Sequence, residues 1–403
     1  MLALINKETL NVICANYEMI NAEEHLASKL KNIPASKIAT WLDVNTKALP
    51  TFIQAKQLAK CLKVPFAGLY MNPSDIKMPS KPKITSRREL PDGFRDDISL
   101  NMAIIDLVGT RDFFVATNRD LGMSVVSFDI SIKEREDPIL WAKQIRKMFG
   151  IDLEMQFQSN SARKFYLYVR EQVEAKGVFI HNFVDVDIRV ARGIAIYDKN
   201  TPIIGINNAD RYPAKTFTII HELVHIIKRQ SSLCNEFFDE FSSQQEEVFC
   251  NAVAGEVLVP REALSVKLQT THQNKPISIA DIEKLAKDFS VSKQVIIRRL
   301  LDLGGIGKDS YDAYNDEFRL EIEREKENSK REKEIAKSEG RKIPSIPRNI
   351  VRETIDKTSG SLCTALFKGF SEEVFSKQDI SRYLGIAPKH ADNFIAEVSQ
   401  WNN

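Results

Sequence analysis

The sequence has no apolar run long enough to cross a membrane and no marked excess of either charge. No run approaches the roughly 18 consecutive apolar residues that a membrane-spanning helix needs. Residues 1–8 lack the basic start and apolar core of a signal peptide. The 57 Lys and Arg residues nearly balance the 55 Asp and Glu residues, which leaves a formal net charge of +2. We therefore expect a cytoplasmic protein that contacts no membrane, and the overall charge does not indicate a nucleic-acid-binding surface.

Cysteine is sparse and its spacing excludes two further classes of protein. The five cysteines are odd in number, lie far apart and form no C-x-x-C pair: Cys14, Cys61, Cys234, Cys250 and Cys363. A disulfide framework or a cysteine-based zinc finger would need regular, paired spacings. We therefore expect reduced thiols, and the 403 residues are enough for two or more domains that each bury a core.

Histidine is scarce as well, and two of the six histidines lie four residues apart. His221-Glu222-Leu223-Val224-His225 forms an H-E-x-x-H pattern inside the apolar run 218–227. Residues at i and i+4 share one face of a helix, so both imidazoles can reach one metal ion, and the glutamate can take a proton from a water molecule there. The pattern can also arise by chance, with the histidines as ordinary polar groups of a helix. It favours a zinc hydrolase if a third ligand is present.

A second helical stretch, residues 244–260, offers that third ligand before Pro260 ends it. Glu247 and Asn251 are four residues apart and therefore project from the same face. Two histidines and one carboxylate form a known catalytic zinc set with one position left open. We expect Glu247 to bind the metal and Asn251 to accept a hydrogen bond from a ligand histidine. Glu246 is the competing assignment, either as an exposed charge or as the true ligand.

These residues resemble the ImmA/IrrE family of intracellular metallopeptidases. Residues 217–225 are similar to the family's F-T-x-x-H-E-x-x-H, and residues 247–260 are similar to its E-x-x-A-N-x-F-A-x-x-L-L-x-P, with Cys250 and Val253 as departures. Residues 202–207 resemble the strand that precedes the active-site helix. The resemblance implies a catalytic Zn²⁺, which Mn²⁺ or Fe²⁺ could replace. The residues it implies are His221, His225 and Glu247 as ligands and Glu222 as general base.

The first seventy or so residues show four helical patterns with short polar joints, at residues 9–19, 22–30, 35–42 and 50–62. They resemble the Cro/CI-type (XRE) helix-turn-helix that many family members carry, with residues 35–42 as the recognition helix. This helix and the loop after it offer few groups to a base edge, and the candidate DNA or partner contacts are Ser36, Lys37, Thr40 and Lys47. We expect at most weak DNA binding. The alternative to DNA binding, to which we give equal weight, is a helical module that serves packing or contacts with other proteins.

The remaining patterns predict an α+β, mostly helical architecture. Helices should dominate residues 99–177, and short strands within residues 178–207 should form a small antiparallel sheet whose edge could hold an extended peptide. Residues 90–95 resemble a junction seen in long family members. The predicted divisions are a helix-turn-helix domain (1–75), a linker (76–98), a gluzincin-like metallopeptidase domain (99–265), a helix-turn-helix-like module (266–310), a charged linker or helix (311–350) and a C-terminal helical domain (351–403).

The function that these features predict is zinc-dependent hydrolysis of a peptide bond in a specific protein. The resemblance implies that this substrate is a helix-turn-helix repressor, cleaved to derepress stress-response or mobile-element genes. The alternative is a DNA-binding transcriptional regulator, or a toxin–antitoxin component, with a sensory or vestigial peptidase core. An intact set of His221, Glu222, His225 and Glu247 argues against a vestigial site.

Overall fold

A computed structural model of the chain describes residues 1–30, 32–79, 81–82, 86–87, 98–234, 245–271, 276–341 and 347–402. The predicted junction at residues 90–95 lies outside these ranges. Within them the α-helices are α1 (Lys7–Asn16), α2 (Ala22–Lys29), α3 (Ala35–Leu42), α4 (Phe52–Cys61), α5 (Ile98–Asp120), α6 (Pro138–Phe149), α7 (Leu153–Gln158), α8 (Ala162–Glu174), α9 (Tyr212–Ile227), α10 (Gln245–Leu258), α11 (Arg261–Thr271), α12 (Ile279–Asp288), α13 (Lys293–Asp302), α14 (Lys308–Ser338), α15 (Ile350–Lys357), α16 (Gly360–Ser371), α17 (Lys377–Leu384) and α18 (Ala391–Ser399).

The strands among the described residues are β1 (Ser86–Arg87), β2 (Phe179–Phe183), β3 (Gly193–Ile196), β4 (Ile203–Asn207) and β5 (Ser232–Cys234). They form one sheet in the order β1-β5-β3-β4-β2. The prediction of a mostly helical α+β protein is confirmed, but the prediction of an antiparallel sheet is wrong. Strand β3 is antiparallel to β4 and β5, whereas β2 is parallel to β4 and β1 is parallel to β5.

The connections between β2, β3 and β4 explain why the sheet is mixed. A tight turn at Asp198, whose carboxylate accepts hydrogen bonds from the amides of Asn200 and Thr201, folds β3 and β4 into a hairpin. Strand β2 pairs with the free edge of β4, on the side away from β3. Residues 184–192 must therefore carry the chain past β4 before β3 begins, and this crossing makes β2 parallel to β4.

The sheet separates two hydrophobic cores, because alternate residues of a strand point to opposite faces. Ile180, Ala195 and Ile204 belong to the core that contains the buried faces of α8, α9 and α10. Phe179, Ile194, Ile196, Ile203 and Leu233 belong to the core that contains α5 and the C-terminal helices. Both faces are thus covered, which is the usual setting of parallel strand pairs.

Helix α9 lies between the sheet and the helices α8 and α10. Pro213 is at the start of the helix, where its missing amide proton is not needed. Every residue from 215 to 227 is buried, so the helix is apolar on all sides apart from a few functional groups. A helix of this kind is stable only in the interior of a protein. This setting places the H-E-x-x-H residues out of water.

The N-terminal helices form a layer with a core of their own. Helix α3 has the predicted bounds, while α1 begins two residues earlier than expected because the side chain of Asn6 accepts a hydrogen bond from the amide of Thr9. Met102 and Ile105 of α5 belong to the same core as these helices. The layer is therefore packed onto the helix that also covers the sheet.

Cations of α13 form ion pairs within the chain. Arg299 of α13 pairs with the buried Glu256 of α10, and Lys293 pairs with Glu283 and Glu321. These contacts favour a packing role for the predicted helix-turn-helix-like module. None of the helices built from the described residues combines the length and apolar character needed to cross a bilayer.

The C-terminal helices are tied to the start of α9 by one buried carboxylate. Asp356 of α15 accepts hydrogen bonds from Nε of Arg163 at 2.8 and 3.0 Å and from the hydroxyl of Tyr212 at 2.5 Å. Its side chain is 7% exposed. The C-terminal helices and the start of α9 therefore share a buried polar contact, in addition to the hydrogen bonds from Arg170 to the carbonyls of Ile355, Asp356 and Thr358.

Replacing this carboxylate should destabilise the protein. Asp356→Ala leaves Arg163 and Tyr212 without their acceptor, and we expect the free energy of unfolding to fall by about 2 kcal/mol in urea titration. Glu353→Ala is the control, since Glu353 lies on the same helix and its ion pair with Arg348 is exposed. Equal shifts of the two unfolding midpoints would contradict the assigned role of Asp356.

Candidate metal centre

The candidate centre is built from two packed helices and one strand. Helix α9 carries His221 and His225 one turn apart, and α10, which packs against it, carries Glu247 in its first turn. Strand β5 follows α9 after four residues and pairs with β3. The two helices bring together the three predicted ligands.

The donor groups of these three residues lie at the corners of a small triangle. Nε2 of His221 lies 3.3 Å from Nε2 of His225, Oε2 of Glu247 lies 3.2 Å from the first of these nitrogens, and Oε1 of Glu247 lies 3.4 Å from the second. Ligand atoms at tetrahedral angles, about 2.0–2.1 Å from a zinc ion, are about 3.3–3.4 Å apart. The residues present therefore fit a tetrahedral metal site with three protein ligands.

Burial makes this cluster unfavourable unless its charges are compensated. His221 and His225 are fully buried and Glu247 is 8% exposed. Burial on its own would raise the pKa of Glu247, but hydrogen bonds from His221 and His225 outweigh it and hold the pKa of this carboxyl well below its usual range. Glu247 is thus ionised and directed at both histidines, as a metal ligand must be.

Glu222 lies beside the triangle and is also fully buried. Its Oε2 accepts a hydrogen bond of 2.7 Å from the hydroxyl of Ser232, while its Oε1 has no hydrogen-bond partner among the described residues. Burial raises the pKa of Glu222, against the lowering effect of the nearby histidines and of Ser232. A carboxylate with one fixed and one free oxygen suits a group that takes up and returns a proton.

Gly193 of β3 lets Glu222 approach the sheet. A Cβ atom at this position would collide with Oε1 of Glu222 and with the methyl group of Thr218. Only glycine leaves room for the carboxylate there. Gly193 therefore allows α9 to pack closely against β3. The sequence offered no pattern that connects this glycine with the motif.

The other predicted residues of α10 are placed differently from the expectation. Glu246 pairs with Lys228 at 3.0 Å, which leaves Glu247 as the carboxylate at the histidines. The expected hydrogen bond of Asn251 is not formed, because its Oδ1 has no partner among the described residues. Sγ of Cys250 instead lies 3.9 Å from Nδ1 of His225. A role for Asn251 stays a prediction.

Three residues of the site were missed in the sequence: Gly193, Ser232 and Cys234. Sγ of Cys234 and the ligand atoms of His221 and Glu222 all lie within 4.8 Å of one another. The sequence signal for this strand is the alternation of Ser232 and Cys234 with the apolar Leu233, a few residues after the helix that carries the H-E-x-x-H motif. That signal is weak without knowledge of the sheet order.

The candidate DNA or partner contacts belong to the N-terminal layer. Ser36, Lys37 and Lys47 are exposed, while Thr40 is half-buried. The hydroxyl of Thr40 donates to the carbonyl of Lys37 within the same helix, and its carbonyl accepts from Nζ of Lys7. Thr40 is therefore already used by the fold, and the exposed side chains are Ser36, Lys37 and Lys47.

Comparison with known proteins supports a family assignment for part of the chain. Residues 181–301 match the family model of peptidase M78, the IrrE N-terminal-like domain. This range contains the motif helix, Glu247, β5 and the helices through most of α13. No curated protein and no solved structure matches the chain. The match supports the resemblance to the ImmA/IrrE family and a metallopeptidase-like function.

The geometry predicts a defined metal content. The protein should bind about one zinc per chain, because three protein ligands hold a single tetrahedral ion. His221→Ala and His225→Ala should lose most of this metal, as measured by elemental mass spectrometry after dialysis. His390→Ala, a histidine of the C-terminal region, is the control and should keep it. Wild-type protein that takes up no zinc, or histidine variants that retain it, would contradict the site.

A methyl group at Gly193 should disturb the packing of α9. Because the new Cβ would overlap Glu222 and Thr218, Gly193→Ala should lower the free energy of unfolding by about 2 kcal/mol. Gly307→Ala is the matched control, since a Cβ there meets nothing within 4 Å. Thermal unfolding of both zinc-loaded variants checks the difference. A Gly193→Ala protein as stable as wild type would show that the close approach is unimportant.

Proposed function

We propose that the protein is a zinc-dependent metallopeptidase that hydrolyses a peptide bond in a protein substrate. The observation that carries the proposal is the close approach of the donor groups of His221, His225 and Glu247, whose contacts are 3.2–3.4 Å long. The match of residues 181–301 to a peptidase family supports it independently. Zinc bound by these residues would polarise the substrate carbonyl and make a water molecule nucleophilic near neutral pH.

Glu222 is the residue that would transfer protons in the reaction. Its free Oε1 would take a proton from the attacking water and later return it to the leaving amine. The hydroxyl of Ser232 holds the other oxygen, so the carboxylate keeps one orientation during both transfers. Burial of the whole group strengthens these interactions, because little water competes for them.

A cavity of about 970 Å³ next to α9 is the proposed cleft for the substrate chain, although the four residues of the candidate centre do not line it. Phe217 lines it one turn before His221, and the two rings are stacked with centroids 6.3 Å apart. Arg192 and Asp210 line the same cavity and pair with each other at 2.7 Å, while α14 contributes Phe318. The walls thus combine apolar surface with paired charges, which suits a folded or partly folded polypeptide.

A helix-turn-helix repressor is the substrate class that we propose, as the resemblance to the ImmA/IrrE family implies. The N-terminal layer supports this proposal through its exposed Ser36 and Lys37 on α3, which could contact such a partner. The net charge of +2 and the few exposed cations of α3 favour a protein partner over autonomous DNA binding. Cleavage would then remove the repressor from its operator.

Glu222→Gln tests the proposed chemistry. The amide has the shape of the carboxylate but cannot act as a base, so zinc should stay bound while the cleavage rate falls on the order of 10²–10⁴-fold. Cleavage is measured on a proteome-derived peptide library by mass spectrometry. Glu246→Gln is the matched control on α10, because Glu246 contacts Lys228, and it should cleave like wild type.

Two outcomes would count against the proposal. Undiminished cleavage by Glu222→Gln would remove Glu222 from its role. Tight, sequence-specific DNA binding that depends on Lys37 and is unaffected by Glu222→Gln, in a protein without cleavage activity, would favour a transcriptional regulator instead.

A further inference from the structure

A second cavity, of about 680 Å³, lies between helix α8 and the C-terminal helices. Residues of α5, α15 and α16 line it together with α8, and the segment 123–126 forms a further part of its wall. The four residues of the candidate metal centre do not line it. Its volume is within the range of about 300–1,000 Å³ that is usual for small-molecule sites. The cavity is therefore large enough for a ligand that is independent of the metal centre.

Much of the wall of this second cavity is apolar. Phe114 and Phe179 line it with stacked rings whose centroids are 5.3 Å apart, and both side chains are buried. Leu167 and Ile355 add aliphatic surface. Trp401 also lines the cavity and is 43% exposed, so the cavity reaches the surface of the protein. A ligand with an apolar body would gain free energy by leaving water for these walls.

Two charged side chains of α8, Arg170 and Glu174, line the second cavity although both are buried. Nη1 of Arg170 donates hydrogen bonds to the carbonyls of Ile355, Asp356 and Thr358 at 3.0–3.1 Å. The first two of these carbonyls belong to the last turn of α15, where the helix dipole favours a cation. The fold itself therefore uses the guanidinium of Arg170.

The carboxylate of Glu174 is used only in part. Its Oε2 accepts a hydrogen bond of 3.1 Å from the amide of Gly360, the first residue of α16. Its Oε1 is buried and has no hydrogen-bond partner among the described residues. Buried polar atoms are nearly always paired, and in a side chain that lines a cavity a bound molecule can supply the partner. Oε1 of Glu174 is therefore an acceptor for a donor group of a ligand.

The charges of the wall favour a cationic donor. Among the described residues that line the second cavity, the ionisable ones are Arg170, Glu171 and Glu174, so two carboxylates face one guanidinium. Burial raises the pKa of Glu174, against the lowering effect of Arg170, and a further cation beside Oε1 would stabilise the ionised form. We propose that this cavity binds a small molecule with an apolar body and a primary ammonium group that donates to Glu174. The site does not rest on the proposed peptidase activity.

Benzylamine and benzyl alcohol test the ligand class, since they have nearly the same shape and differ in charge near neutral pH. In NMR titrations of the full chain, benzylamine should show saturable binding about tenfold tighter than benzyl alcohol, because it adds a hydrogen bond between charged groups. The affinity should be the same with and without added zinc. Glu174→Gln keeps the size of the side chain and should remove the preference for the amine. Glu397→Gln is the matched control, because this exposed carboxylate of α18 does not line the cavity.

Thr364→Phe tests the location of the site. Thr364 lines the cavity from α16, and a phenyl ring there would occupy part of the space, so saturable benzylamine binding should be lost while Glu174 is intact. Thermal unfolding of each variant checks that it is folded, and Thr364→Phe decides the location if Glu174→Gln does not fold. Wild type that binds no benzylamine, equal affinities for the two probes, or benzylamine binding that survives Thr364→Phe or a folded Glu174→Gln would each overturn the proposal.

Discussion

The removal of four ionisable side chains from water is the constraint on which the rest of the structure depends. His221, Glu222 and His225 are fully buried, and Glu247 is nearly so. Burying such groups costs several kcal/mol each unless charges and hydrogen bonds compensate. Each neighbouring element therefore contributes to the compensation. Glu247 faces both histidines, and Ser232 donates to Glu222. A divalent cation at the triangle would complete it by balancing the carboxylates.

This constraint also explains why the surrounding helices are held by buried polar contacts. Helix α10 must keep Glu247 at a fixed distance from α9, and its C-terminal end is tied down accordingly. Arg146 donates to the carbonyl of Val257 at 2.6 Å, and Gln156 donates to the carbonyl of Leu258 at 2.8 Å. Hydrogen bonds of this kind position a helix along its axis, which apolar packing alone does less sharply. The ion pair between Glu256 and Arg299 adds a contact to α13.

The sequence allowed the helices and the meeting of His221, His225 and Glu247 to be predicted, because the helices and the pair of histidines follow from local spacing. The i, i+4 pairs and the helical pattern of α3 need no knowledge of distant residues, and the resemblance supplied the role of Glu247. The direction of β2 and the contributions of Gly193 and Cys234 could not be predicted. They depend on which strands become neighbours, and residues 184–192 contain no signal that the chain crosses β4. Asn251 shows what local spacing does not determine. The spacing places it on the same helix face as Glu247, but its Oδ1 has no hydrogen-bond partner among the described residues.

Strand β5 contributes to the candidate centre without supplying any of the three predicted ligands. Helices α9 and α10 supply the candidate ligands, yet Ser232 of β5 donates the hydrogen bond that holds one carboxylate oxygen of Glu222. The strand is joined to the sheet by the backbone of β3, which also carries Gly193 against Glu222. Ser232 and Gly193 therefore fix the carboxylate of Glu222 from the side of the sheet, while the candidate ligands are held by the packing of α9 against α10. The strand therefore acts on Glu222 through its side chain, whereas α9 sets the position of its backbone together with that of His221 and His225.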